Sequence, residues 1–270
     1  MCNFRNTLLS MLMNLLKNSE WSFLLDFVSP AFFKVIPPFE LIGNATALAK
    51  RTRDPELYRS ALGGMQSHFA RSLPDTRIIA GGMTQAGELP AGVVTDFKTA
   101  DEMIRVEMAT RIVEIYFAQI LAKQTLLLDV RLTRFARDGQ NILWSPAPLL
   151  GVFSDDFLNA MGELYTGYYC GRPEQMKSAL KKINLDWAHE VFISHFGDGN
   201  QTAVRFTMAH FVHTFHEIFM LCKSERKNLK GEFVQLGVLL GLMYESLESL
   251  NVAVDVRSAF HRVLKSRDIG

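Results

Sequence analysis

Cysteine is scarce in this sequence, which contains only three in 270 residues. Cys2, Cys170 and Cys222 are odd in number and widely spaced, which excludes the framework of a disulfide-rich secreted domain. They indicate reduced thiols in a cytoplasmic protein. Neither sign of charge is in excess, because the formal net charge is +1. The charge balance therefore favours neither a nucleic-acid partner nor an acidic one.

Long apolar runs are also missing. The longest uncharged apolar run lies near residues 233–244, which is shorter than the roughly 20 residues that a membrane helix needs. We therefore expect no transmembrane span. The apolar run at 8–16 is followed by Lys17 without a small-residue cleavage site, so it does not predict a secretory signal. An apolar strip within residues 1–33 is compatible with lying on a membrane surface, but packing on the protein's own core is the expected arrangement.

Helical signals occur along most of the chain. Asp54-Pro55-Glu56 predicts a helix start, and the helix is expected to end before Pro74. A capping box from Thr99 to Glu102 predicts a second helix that ends near Lys123. Beyond Pro148 the sequence predicts helices throughout. Their expected first or capping residues are Ser154, Pro173, Asp186, Gln201, Glu232 and Asp255.

One segment has the two-residue period of a β-strand. Leucine and valine alternate with other residues over 126–133, Asp138-Gly139 is a type I′ turn signal, and an apolar run at 141–144 follows. Asp129 and Arg131 would share one face of the first strand and form an intramolecular pair or bind a ligand. The predicted fold is therefore mainly α, a multi-helix bundle with a single β-hairpin insertion near 125–145.

The longest irregular piece is residues 74–96, which is rich in glycine and proline. A loop of this length is a lid, a binding loop, a linker or a disordered segment. We predict an N-terminal helical region over 1–96, which includes this loop, and a second region over 97–270 with the hairpin and the C-terminal helices. The two regions are also compatible with one continuous domain.

Histidines concentrate in the predicted helix 201–222. Helical geometry places His210, His213 and Glu217 on the side opposite its apolar face. Imidazole and carboxylate ligands suit zinc or iron. His210 and Glu217 are two turns apart, so a single ion needs further ligands, for which His189 on the preceding helix is a candidate. The alternative is a polar helix face on which each histidine is satisfied singly.

A turn before this helix suggests an anion site. Gly197, Asp198, Gly199 and Asn200 precede the predicted helix start, where free backbone N–H groups bind anions, and Arg205 adds a positive charge. The sequence from 196 to 205 resembles the Fic-domain AMP-transferase motif, and this resemblance implies phosphate binding. Ser194 stands where that motif has its catalytic histidine, so the resemblance does not extend to catalysis.

The C-terminal half carries a second, looser resemblance. A helix pair after Asp155, the helical stretch 211–250 and a short link before a closing helix resemble the helical tail of the ubiquinone-biosynthesis-type atypical kinases. This likeness implies a phosphoryl ligand. The sequence upstream has no nucleotide loop, no catalytic lysine and no metal-binding Asp-Phe-Gly motif.

No nucleophile–base pair of a hydrolase is recognisable in the sequence. We therefore expect a cytoplasmic helical protein that binds a protein partner or a small ligand without catalysis. The alternative is an enzyme that depends on a metal or a phosphoryl ligand and uses the histidine-rich helix, with zinc or iron as the cofactor.

Overall fold

The computed structural model describes residues 53–80, 87–196, 203–227 and 231–268, together with Ala47, Lys50, Arg51 and Leu229. The apolar strip within residues 1–33 and the turn at 197–200 lie outside the described residues.

The described chain is mostly helical, as the sequence predicts. Its helices are α1 (Pro55–Ser72), α2 (Glu102–Ala122), α3 (Asp155–Tyr169), α4 (Pro173–Lys182), α5 (His189–Phe196), α6 (Met208–Ser224), α7 (Gly231–Leu250) and α8 (Val256–Asp268). Short 3₁₀ helices occur at Leu132–Arg134 and Asp186–Ala188.

Side-chain caps fix several of these helix starts. The Asp54 carboxylate accepts hydrogen bonds from the N–H groups of Glu56 and Leu57 at the start of α1. Asp255 accepts from the N–H of Ser258 in the first turn of α8, as predicted. The capping box predicted for α2 is wrong. The N-cap is Asp101, and the Thr99 hydroxyl instead donates to Asp96 at 2.7 Å.

The histidine-rich helix also begins later than predicted, at Met208 instead of Gln201. Val204 and Arg205 form a strand, β6 (Val204–Arg205), that pairs antiparallel with β7 (Ala253–Val254). The Thr207 hydroxyl accepts from the N–H of His210 at 3.2 Å and so caps α6. The ladder with β7 therefore holds this part of the chain in an extended conformation.

α2 is the central helix of the fold. Its residues from Met108 to Leu121 are almost all buried, and it contacts α1, α3, α7 and α8. A helix that is apolar on nearly every face must be enclosed by other elements. Those four helices pack around it, and one continuous hydrophobic cluster extends from Tyr58 to Val263.

The β-structure differs from the single predicted hairpin. β3 (Phe135–Asp138) and β4 (Asn141–Trp144) form the hairpin, and β1 (Thr76–Ile78) pairs with β4 in parallel. β2 (Leu126–Leu127) pairs with β5 (Leu150–Gly151) instead of with the hairpin. Alternation over 126–133 does not produce one strand, because the chain folds around the Asp129 carboxylate and then enters a 3₁₀ helix.

The hairpin turn is also not the predicted type I′. Gly139 has a φ of +60°, but Gln140 is not among the residues with positive φ. A type I′ turn needs positive φ at both central positions. A glycine at the first loop position alone is the requirement of a type II′ turn, which also matches the twist of a hairpin.

The described part of the glycine- and proline-rich loop packs on this hairpin. The backbones of Val94 and Arg137 exchange two hydrogen bonds of 3.0 and 2.8 Å, and the Ser145 hydroxyl donates to the Gly87 carbonyl. Phe97, at the end of the loop, is buried in the common core. Residues 87–97 are thus attached to the 97–270 region, while the division of the chain at residue 96 stays a prediction.

Within the described residues, α7 is the one helix that is long and apolar enough to cross a membrane, judged by length and composition only. However, 65% of the apolar stretch of α7 that would cross the membrane is buried inside the protein. The core helix of a folded domain has the same character, so α7 gives no clear transmembrane span.

Candidate functional site

The predicted anion site is described only at Arg205. Its guanidinium Nη1 donates to the Asn251 carbonyl at 3.1 Å and also contacts the Asn251 side-chain oxygen. These bonds tie β6 to the link that precedes β7. Because α6 begins at Met208, the turn at 197–200 does not lead directly into a helix N-terminus. The site formed by Gly197, Asp198, Gly199, Asn200 and Arg205 stays a prediction.

The predicted metal ligands form separate contacts. On α6, His213 Nε2 lies 3.4 Å from Glu217 Oε1, and the His213 side chain is 69% exposed. His189 Nδ1 lies 3.3 Å from Glu190 Oε1, and the ring of His210 stacks on Tyr244. Among the described residues, no group of three or more histidine, cysteine, aspartate or glutamate side chains is placed to hold a metal ion. The zinc or iron site stays a prediction.

A cleft of about 350 Å³ lies elsewhere in the structure. Three segments form its walls, namely residues 95–98, residues 131–133 and one side of α7. We call this space the cleft. The side of α7 that faces it carries Glu245, Ser246 and Ser249.

The 131–133 wall is held by a buried carboxylate. Asp129 has a fully buried side chain and accepts from Arg131 Nε at 2.7 Å and from Arg134 Nε at 2.9 Å. Its Oδ2 also accepts from the N–H of Ala147 at 2.9 Å. We call this set of four residues the Asp129 cluster. Two guanidinium groups share one carboxylate, so the cluster has one net positive charge behind the cleft wall.

An aromatic stack also fixes this segment. The indole N–H of Trp144 donates to the Asp129 carbonyl at 2.9 Å. The indole itself stacks on the rings of Phe69 and Phe135, with a ring-centroid distance of 6.0 Å in each pair. Buried aromatic pairs of this kind stabilise a core beyond the area that they bury. The backbone at residue 129 is therefore bound through both its side chain and its carbonyl.

Ser246 joins this wall to α7. Its buried hydroxyl donates to the Val130 carbonyl and accepts from the N–H of Leu132, both at 2.9 Å. One side chain thus satisfies two buried backbone groups of the irregular 130–132 segment. The wall formed by residues 131–133 is consequently hydrogen-bonded to the buried side of α7.

The third wall is anchored by Phe97, whose side chain is 1% exposed. On either side of it, Asp96 and Lys98 are exposed at the mouth of the cleft. The Thr99 hydroxyl donates to the Asp96 carboxylate and orders this short segment. An alternation of exposed, buried and exposed residues therefore presents one carboxylate and one ammonium group to the cleft.

Glu245, on the α7 side of the cleft, has a pKa that is displaced from its usual value. Burial raises the pKa of the Glu245 carboxyl above its usual value, and Glu248 adds to this increase. Arg131 and Lys98 act in the opposite direction, because a nearby positive charge stabilises the carboxylate. Both cations of the cleft therefore favour the ionised form of Glu245 electrostatically.

A second, smaller cavity of about 40 Å³ lies in the core between α2, α3 and α7. Its lining includes Tyr116 and Tyr165, whose hydroxyls hydrogen-bond to each other, and Tyr244. Burial raises the pKa of each of these three phenols, so they remain neutral. The volume is sufficient for about one water molecule and too small for an organic ligand.

The sequence indicated only part of this site. The pairing of Asp129 with Arg131 was one of its two alternatives, and the pair is present. Lys98, Glu245 and Ser246 carried no recognisable signal, because each is a single polar residue in or beside a helical pattern. They meet only where the 95–98 segment and α7 pack beside the 131–133 segment. The contact between Leu132 and Ser246 joins residues more than a hundred positions apart.

Comparison with known proteins adds no assignment, since no protein-family model and no curated protein sequence matches this chain.

Proposed function

We propose that this protein binds a small polar ligand in the cleft, without catalysis. The observation that carries the proposal is a cleft of about 350 Å³ lined by charged groups and hydroxyls. Sites for small molecules are concave, typically of roughly 300–1,000 Å³, and contain a few convergent polar groups. The cleft lies at the lower end of this range, which favours a compact ligand.

The lining favours a ligand with one acidic group. Lys98 and Arg131 provide two positive charges that can form charge-assisted hydrogen bonds to a carboxylate or phosphate-like group. Asp96 and Glu245 place two carboxylates in the same lining, where they can bind a cationic group of the ligand. The hydroxyls of Thr95, Thr133 and Ser249 provide donors and acceptors for neutral polar groups of the same ligand. The best candidates are therefore small hydroxylated or aminated acids.

The framework of the cleft supports binding with little rearrangement. Arg131 is held by Asp129, and the neighbouring backbone is held by Ser246. A donor that is already oriented loses less conformational entropy when a ligand binds. Lys98 is exposed beside this framework, so it is the residue that we expect to move onto the acidic group.

The experiment is a binding screen with a matched pair of variants. A panel of hydroxy acids, amino acids and sugar phosphates is tested by thermal shift and by ligand-detected NMR. We expect at least one class to bind and Lys98→Ala to weaken its binding about tenfold, the loss of one charge-assisted contact. Lys177→Ala removes the same charge from the exposed surface of α4 and should leave binding unchanged.

Two results would overturn the proposal. One is the failure of every class in the panel to bind at millimolar concentration. The other is equal binding by wild type, Lys98→Ala and Lys177→Ala, which would place the ligand outside the cleft. The cytoplasmic location remains a proposal that rests on the scarcity of cysteine.

A further inference from the structure

We propose that Glu245 competes with the acidic group of the ligand for Lys98 and Arg131, so that anion binding in the cleft is coupled to proton uptake by Glu245. This inference rests on the proposed function and adds its regulation by pH. It follows from the arrangement of charges around one half-buried carboxylate.

The first step is the set of charges near Glu245. The 95–98 wall contributes Lys98 and Asp96, the 131–133 wall contributes Arg131, and α7 itself contributes Glu248 one turn further on. Lys98 and Arg131 therefore stabilise the ionised Glu245 carboxylate, while Asp96 and Glu248 are the negative charges of the same set and Arg131 is shared with Asp129. Glu245 thus interacts with the same two cations that would bind the acidic group of a ligand.

The helices that pack against α7 contribute two further titratable or charged groups. From α2, Arg105 Nη1 donates to the Leu250 carbonyl at 3.0 Å, at the C-terminal end of α7. From α6, His210 stacks on Tyr244, and the N–H of Met208 donates to the Glu248 carboxylate at 3.1 Å. Arg105 and Glu248 thus have partners at the end of α7, whereas the compensation of Glu245 depends on the cleft cations.

The second step is the effect of a bound anion. An anion between Lys98 and Arg131 partly neutralises the positive charge that stabilises the ionised Glu245. The anion also repels the Glu245 carboxylate, because the two have the same sign of charge. Burial already raises the pKa of Glu245, so both effects act in the same direction. A proton from solvent then binds the Glu245 carboxyl, and no covalent bond forms or breaks apart from that O–H bond.

The sign of the pH dependence follows from linkage. The raised pKa favours the protonated carboxyl in the folded protein, and anion binding raises it further. Anion affinity is therefore highest at low pH, where Glu245 is already protonated. It falls as pH rises through the pKa of Glu245, because each binding event must then be accompanied by proton uptake.

Sulfate is the appropriate probe, because its own charge does not change across the relevant pH range. Its affinity is measured by isothermal titration calorimetry at about pH 5 and about pH 8, at low ionic strength to limit screening. We expect wild type to bind sulfate at least about fivefold more weakly at the higher pH. Glu245→Gln should remove this dependence and bind sulfate more tightly than wild type at the higher pH.

Glu174→Gln is the matched control, because it makes the same change on the exposed surface of α4. It should keep the pH dependence of wild type. Titrations of wild type in two buffers with different ionisation enthalpies provide a test that needs no variant. They should show net proton uptake on sulfate binding.

The outcomes separate the two proposals. Sulfate binding that is independent of pH, or a Glu245→Gln protein that behaves like wild type, would overturn the competition while leaving the cleft as a binding site. No sulfate binding to either protein at either pH would also overturn it. The proposed function would then be decided by the ligand panel and Lys98→Ala alone.

Discussion

The Asp129 cluster and the polar face of α6 both contain ionisable side chains at contact distance, but they differ in burial. Asp129 is fully buried and accepts from two arginines and a backbone N–H. On α6, His213 and Glu217 meet at a similar distance while both remain exposed to solvent. The contact distance alone therefore does not distinguish the two regions.

The difference lies in what happens when one partner is lost. Removing a partner from a buried ion pair leaves a charge in a low-dielectric environment with nothing to solvate it. Removing a partner from an exposed pair lets water take its place at little cost. The Asp129 cluster should therefore determine the shape of the cleft wall, whereas the α6 pair should be replaceable.

The largest expected effect is that of Asp129→Ala. This change leaves two guanidinium groups and the Ala147 N–H without their shared acceptor. We expect the free energy of unfolding to fall by about 3–5 kcal/mol, measured by urea denaturation. Asp101→Ala is the control, because the Asp101 side chain makes no capping hydrogen bond, and it should cost less than about 1 kcal/mol. Equal losses in the two variants would contradict the comparison.

An intermediate effect is expected for Ser246→Ala. The Leu132 N–H loses its acceptor and the Val130 carbonyl loses its donor, while both stay buried. The expected loss is about 1–3 kcal/mol in the same denaturation experiment. Ser249→Ala removes a hydroxyl from the same side of α7 and should change stability by less than about 0.5 kcal/mol. If the two serine variants were equally stable, the bond between α7 and the cleft wall would be unimportant.

The smallest effect is expected for His213→Ala. The His213–Glu217 pair is solvent-exposed, so its removal should change the free energy of unfolding by less than about 0.5 kcal/mol. Metal analysis of the purified protein accompanies this test. Stoichiometric zinc or iron, together with a large loss of stability in His213→Ala, would reverse the comparison and support the predicted metal site.

The helices were predictable because their signals are local. Asp54 and Ser154 cap the helices that the sequence assigns to them, since an N-cap acts on N–H groups two or three residues away. The start of α6 was wrong because a partner strand nearly fifty residues downstream, at Ala253–Val254, keeps Val204 and Arg205 extended. Local pattern cannot show a partner so distant in the chain.

The candidate site was less predictable for the same reason. The sequence directed attention to the histidines, whose spacing on one helix is visible, whereas the cleft depends on three segments that meet only in the folded chain. Asp129 and Arg131 were noticed because they are two residues apart. Their role in the cleft wall depends on Arg134, Ala147 and Ser246, and a strand over 126–133 does not predict these contacts.

The parallel pairing of β1 with β4 has a consequence for the order in which the protein assembles. β3 and β4 are joined by a two-residue turn. β1 and β4, in contrast, are separated in sequence by the whole of α2. Closing the longer loop has the larger entropic cost, so the hairpin is expected to form before β1 docks. Until then the N–H of Ile142 and the carbonyl of Trp144, which bond to Asp75 and Ile79, remain open to water. During synthesis, β1 must therefore wait for a partner that is made more than sixty residues after it.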